Sequence, residues 1–170
     1  PETAAIAKNQ AAMLGLELVG EVRGLMDDFG KSSLKCSKYS YDAPGLINPD
    51  LDDEESTPGG SKVDHSTAGA QWVYRRLAAM GQKESGVLCG QMLGLCIASH
   101  HGAGLIDCLD DEGNVVWQKR FNKDDSLTHL SECLQNADES VLQQAEGLAD
   151  KALLVQMLAP LKAVLMLPEA

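Results

Sequence analysis

The sequence predicts an all-α domain, and two observations carry that expectation. Apolar residues recur at helical spacing through most of the chain. Residues that cap or stop helices stand where those runs begin and end. One short stretch, Asn114 to Phe121, reads as extended backbone instead.

Taken in order, Thr3 to Asp28 places Ile6, Met13, Leu14, Leu18, Val22, Leu25 and Met26 at near-helical intervals. Gly15, Gly20 and Gly24 interrupt it, so it reads as two helices with a joint near Gly20. Ser32 to Tyr39 reads as a short third helix that Ser32 or Ser33 caps. Residues 42–62 hold Pro44, Asn48-Pro49, the acidic run Asp50 to Glu55 and Pro58-Gly59-Gly60. That composition describes an acidic, solvated loop, and it lacks the ligand-and-glycine spacing of an EF-hand. Asp64 or Ser66 caps a helix to about Met80, with Trp72, Val73, Leu77 and Met80 on its buried face and Gly81 as its stop. Ser85 starts another through Leu88, Met92, Cys96 and Ile97 to His100-His101, ended by Gly102 and Gly104. Glu112-Gly113 is a turn. Ser126 to Ala137 and Val141 to Leu167 complete the helical inventory, with a kink or break at Pro160.

A chain of 170 residues with 44% hydrophobic residues suits one domain, 1–170, with a core of its own. Its net charge of −11 excludes a nonspecific grip on nucleic acid by bulk charge. The five cysteines are odd in number and form no CxxC, which argues against a disulfide framework or a structural zinc site. A reducing, cytoplasmic setting is expected. No apolar run reaches the length of a membrane span and no cleavable leader is visible, so no membrane partner is expected. The chain starts at Pro1, and the expectation is a fragment or a processed chain, with truncation at both ends as one form of it.

The chemistry lies in a spread of metal-ligating side chains. Asp27-Asp28 is followed by Gly30-Lys31, then His65-Ser66, then His100-His101. Three of the four histidines sit at the ends of apolar runs. Each taken singly is an ordinary surface or cap residue. Together they stand where helix ends can converge, and imidazoles and carboxylates gathered from separate helices hold transition metals. Leu93, Ile97 and His101 are four apart, as are Met92, Cys96 and His100, so both histidines extend stripes of one helix.

Three segments carry a resemblance. Gly24-Leu25-Met26-Asp27-Asp28-Phe29-Gly30-Lys31 resembles the GLLHDxGK signature of HD-superfamily phosphohydrolases. Asp64-His65-Ser66-Thr67-Ala68-Gly69-Ala70 resembles DHSxxGA, and Ile97-Ala98-Ser99-His100-His101 with Gly104-Leu105-Ile106-Asp107 resembles IAxHHxGLxD. In this order, over roughly residues 20 to 110, they are similar to the HD nuclease domain of the signature helicase–nuclease of type I CRISPR systems. The resemblance implies an HD-superfamily helical domain with a metal site between helix ends. It implies a metal-dependent endo- or exonuclease on single-stranded DNA in CRISPR-mediated antiviral defence. One or two divalent transition ions (Mn, Ni, Co or Fe, with Mg as a further option) activate a water in that chemistry. On the matching positions, Asp28 is the bridging carboxylate, and His65, His100, His101 and Asp27 are further metal ligands. Lys31 steadies a phosphate or ligand, and Ser66 orients groups around the metals.

The chain departs from that pattern in three ways. Asp27 stands where the family has histidine, which favours harder ions. No histidine precedes His65. The late aspartate has no motif here, with Asp138 and Asp150 as stand-ins, and the Gly102-Ala103-Gly104 loop is one residue longer. Lys31, Lys35 and Lys38, with Tyr39 and Tyr41, form a candidate DNA-binding stripe or else a solvated face, and Arg75-Arg76 is a second such pair. No GxxxxGK[ST] motif is present, so a motor belongs to a helicase domain or subunit, acting with a CRISPR surveillance complex. The competing expectations are a catalytically inactive HD interaction module and an HD nucleotide phosphohydrolase.

Overall fold

The computed structural model describes residues 2–33, 66–80, 83–100, 109–110 and 112–165. Among them the chain is helical, with one isolated antiparallel bridge between Leu109 and Val115. The order is α1 (Glu2–Ala12), α2 (Glu17–Met26), a 3₁₀ turn (Phe29–Ser32), α3 (Ser66–Ala78), α4 (Lys83–Ala98), α5 (Trp117–Phe121), α6 (Asp125–Thr128), α7 (Leu130–Asn136), α8 (Glu139–Leu148) and α9 (Lys151–Leu165). The all-α expectation therefore holds. The expected third helix over 32–39 lies mostly outside the described residues, as does the acidic stretch 42–62.

Two helix hairpins organise the molecule, and glycines four apart set both. On α2, a methyl group at Gly20 would strike the Ala7 carbonyl and Ala11, and one at Gly24 would strike the Ala4 backbone. On α4, Gly86 lies against the Leu77 carbonyl, Gly90 against Tyr74, and Gly94 against Phe121 and the Ala70 carbonyl. As the α4 number rises the α3 number falls, so the helices run antiparallel. That register brings the first residue of α3 beside the last of α4. Side-chain spacing of four puts such glycines on one helix face, where backbones can close in.

Gly20 is thus a packing residue inside α2, which corrects the expected joint there. The chain turns at Met13–Leu16, around Gly15 with φ +69°. Leu16 offers α2 no side-chain cap. Gln156 of α9 supplies one instead, its Oε1 accepting from the backbone N–H groups of Leu18 at 2.8 Å and Val19 at 3.3 Å. Half-way along α2, Glu21 takes Lys8 Nζ at 2.7 Å and Gln144 Nε2 at 2.7 Å, tying α1 and α8 to it.

Later boundaries also differ from the spacing pattern. Asn114 to Phe121 is a bridge residue followed by helix α5, rather than one extended piece. His129, left-handed at φ 55°, separates α6 from α7. The Val141–Leu167 run divides at Ala149–Asp150 into α8 and α9, and α9 continues through Pro160. The core gathers Val22, Met26, Val73, Leu77, Leu93, Ile97 and Leu153 between the hairpins and α9.

Candidate metal centre

Three helix ends converge. The α2 helix closes at Met26, whose carbonyl lies so near Gly69 of α3 that a methyl group there would collide with it. Asp27 and Asp28 follow at once and lead into the 3₁₀ turn. The turn is held from the far side by α7, where Cys133 Sγ donates to the Gly30 carbonyl at 3.6 Å. The α4 helix ends at Ala98, and His100 reaches from just beyond it back over the α2 terminus.

His100 is the centre of the cluster, its side chain 6% exposed. Its Nδ1 lies 2.7 Å from the Ile97 carbonyl. A carbonyl only accepts, so Nδ1 carries the proton, and Nε2 points towards Asp28, 3.6 Å from Oδ1. A ligating histidine typically donates its other ring N–H to a backbone carbonyl in this way. Two donors on one tetrahedral ion with bonds of ~2.1 Å stand roughly 3.4 Å apart, so the Nε2–Oδ1 separation suits a common cation. Lys31 Nζ contacts the same Asp28 oxygen at 2.9 Å.

Asp27 occupies the other side of the ring. Its Oδ1 lies 3.6 Å from Nδ1 and 3.3 Å from Arg23 Nη2. That oxygen is closed to solvent and, among the described residues, receives no hydrogen bond of good geometry. The adjacent carboxylates therefore address opposite nitrogens of one imidazole.

Electrostatics follow from these contacts. The nearby His100 ring, aided by the Lys31 bond and charge, outweighs burial and holds the Asp28 carboxyl well below the usual carboxylate range. For His100, burial disfavours the charged ring. The nearby Asp28 carboxylate, the Ile97 carbonyl and the charge of Asp27 outweigh that and raise its pKa above the ordinary histidine value.

Of the expected site residues, the structure brings together Asp27, Asp28, Lys31 and His100. His65, His101, Lys35 and Lys38 lie outside the described residues. Ser66 is buried at the start of α3, and Arg75 and Arg76 are exposed on its outer face. The stand-ins for a late aspartate are helix caps. Asp138 accepts from Ser140 N at 2.8 Å and Asp150 from Ala152 N at 2.8 Å, and both are exposed. Among the described residues no three His, Cys, Asp or Glu side chains form a complete ion cage.

Two residues that spacing did not mark hold the site together. Arg120 Nη1 contacts Ser66 Oγ at 3.3 Å and the Ala98 carbonyl at 3.4 Å, spanning the start of α3 and the end of α4. Gln71, 1% exposed, donates to the Phe121 and Lys123 carbonyls at 3.0 and 2.9 Å and accepts from Thr128 Oγ1 at 3.1 Å. It fixes α5 against α3, helped by the stack of Tyr74 on Phe121 at 5.2 Å. Compared with protein-family models, curated proteins and solved structures, the chain matches none. No helix among the described residues is long and apolar enough to cross a membrane.

Proposed function

We propose that the chain is an HD-superfamily, metal-dependent phosphodiesterase that cuts single-stranded DNA in CRISPR-mediated antiviral defence, with a helicase domain or subunit and a surveillance complex as partners. One observation carries the reading. Asp28, from the HD-like segment, faces Nε2 of His100, from the His-His segment, while Nδ1 is anchored on a backbone carbonyl. Asp28 and His100 would hold a divalent ion, with His65 and His101 as further ligands. When bound, Mn, Ni, Co, Fe or Mg supplies a Lewis acid and a water acidic enough to give hydroxide near neutral pH. The chain's own part is to orient His100 through Ile97, to keep Asp28 ionised, and to set Lys31 where it moderates the charge on Asp28.

The test is addition of Mn²⁺, Ni²⁺ or Co²⁺ to the purified protein. Ion at a hundredfold excess over Kd stabilises the folded state by about 2.7 kcal/mol, so Tm should rise by roughly 5–10 °C. Labelled single-stranded DNA should be cut in the same samples, in preference to mononucleotides. The absence of both stabilisation and cutting with every one of these ions overturns the reading.

A second reading, a catalytically inactive HD module with an interaction role, draws on Asp27, which faces Nδ1 and Arg23 instead of the Nε2 side. Asp27→His separates the two. Gain of ion binding and cutting assigns the defect to that position, and continued inactivity favours the interaction module.

A further inference from the structure

We propose that Arg120 is an anion anchor of this site, holding a phosphate of a bound single strand beside the Asp28–His100 pair. The identity of the ligand as DNA rests on the nuclease reading, whereas the anion-binding role rests on Arg120 itself.

The chain carries 25 acidic residues against 14 lysines and arginines. The cations around the cluster are accordingly spoken for. Arg23 faces Asp27 and Lys31 faces Asp28. Arg120 differs. Among the described residues no carboxylate lies within ion-pair distance of it, although it is half-buried at the meeting of two helix ends. Its contacts are a hydroxyl at 3.3 Å and a carbonyl at 3.4 Å, both long, and both made by Nη1.

A guanidinium presents five N–H donors in a planar fork that matches a phosphate. Here one nitrogen is used to aim the fork and the charge is left uncompensated. Ala98 is two residues from His100, so the charge lies at the same helix end as the candidate catalytic pair. Lys119, exposed, precedes it in the chain and adds a second positive charge nearby. Phe121, stacked on Tyr74 and packed over Gly94, keeps this short segment in place. The plainer alternative is a strap, in which Arg120 does no more than satisfy the last carbonyl of α4.

Fluorescence anisotropy with a short fluorescein-labelled oligo-dT, in EDTA and at low salt, separates the two. Arg120→Gln keeps an amide donor for Ser66 and Ala98 and removes the charge. It should weaken binding about tenfold and leave Tm nearly unchanged. It should also reduce the slope of log K against log salt by roughly 0.7, the value for one phosphate contact on a single strand. Arg120→Lys keeps the charge but not the fork, so it should keep the wild-type salt slope and lose less affinity than Arg120→Gln. Wild-type affinity and slope in Arg120→Gln, or equal loss in both variants, overturns the anchor. Should Arg120→Gln fail to fold, the side-chain Nε–Hε resonance of Arg120 in the wild-type protein is followed during titration with inorganic phosphate and with oligo-dT. A saturable shift supports the anchor, and no shift overturns it. Cutting with Mn²⁺ is scored in parallel. No cutting by a wild type that binds through Arg120 removes the nuclease reading alone. Cutting with unchanged KM in Arg120→Gln removes the anchor alone.

Discussion

At the scale of single residues, the imidazole of His100 sets the pH behaviour of the site. Its charged neighbours among the described residues include Asp27 and Asp28, with Arg23 and Lys31 behind them. Its folded pKa is raised, so its contribution to stability is full below the unfolded value of about 6.5 and is lost as pH climbs through the folded pKa. Asp28 is depressed, so its contribution is full above about 3.9 and is lost as pH falls towards its folded pKa. The pair therefore stabilises most between about pH 4 and 6.5. The Tm difference between wild type and His100→Gln should peak in that window and shrink above it. Ion binding should run the other way, because a proton and a metal compete for Nε2. Affinity for Mn²⁺ should rise by up to about tenfold per pH unit until the ring is neutral, then level off. A Tm difference that grows from pH 7 to 9 would contradict the assignment. The residues of this cluster were legible because the motif segments name them. Arg120 was not, because its contacts depend on residues 66 and 98 meeting across the α3–α4 hairpin. Gln71 left a fainter sign, as an amide among Ala68, Ala70, Trp72 and Val73 on a helix whose buried face was otherwise expected to be apolar.

At the scale of elements, the site exists because helix ends meet, and glycine decides how closely. Gly69 allows α3 to lie against the carbonyl that ends α2, one residue before Asp27. Gly69→Ala places a methyl group against backbone that cannot step aside, so the helices must separate. The expected cost is about 1–3 kcal/mol, read as a fall in Tm, together with weaker ion binding as Asp28 moves from His100. Gly147→Ala on α8 is the control. It has open space around it, and helix propensity predicts a gain of roughly 0.5–1 kcal/mol. A Gly69→Ala protein as stable as wild type would mean that α2 and α3 do not approach in this way. The same glycines explain where the sequence reading went astray. Glycine inside a helical pattern reads as a break, yet Gly20 and Gly24 sit within α2 at a spacing of four, the spacing of a packed face. The true joint at Gly15 is the one with positive φ. The division of α8 from α9 was hidden because apolar periodicity continues across it. Its local sign was Asp150, a capping residue with Ala152 two positions on.

At the scale of the whole molecule, charge limits how the site would find a strand on the nuclease proposal. The net charge of −11 repels DNA, and Arg23 and Lys31 are already opposed by the carboxylates beside them. Among the described residues, positive charge at this end of the molecule comes from Arg120, with Lys119 and Lys123 close to it along the chain. Three contacts at roughly 0.7 each would give a salt slope of about −2 for single-stranded DNA. A stripe extended by Lys35 and Lys38 would steepen it towards about −3.5. The isolated chain should therefore bind single strands weakly, with a slope near the smaller figure, and should cut with a high KM. On the nuclease proposal, delivery by a helicase would raise the local concentration of strand without changing the chemistry. Joining the chain to such a motor should then lower KM by two orders of magnitude or so while kcat stays near its value for the isolated chain. Nanomolar binding by the isolated chain, with a steep salt slope, would show that it gathers DNA unaided and would remove the physical reason for a partner.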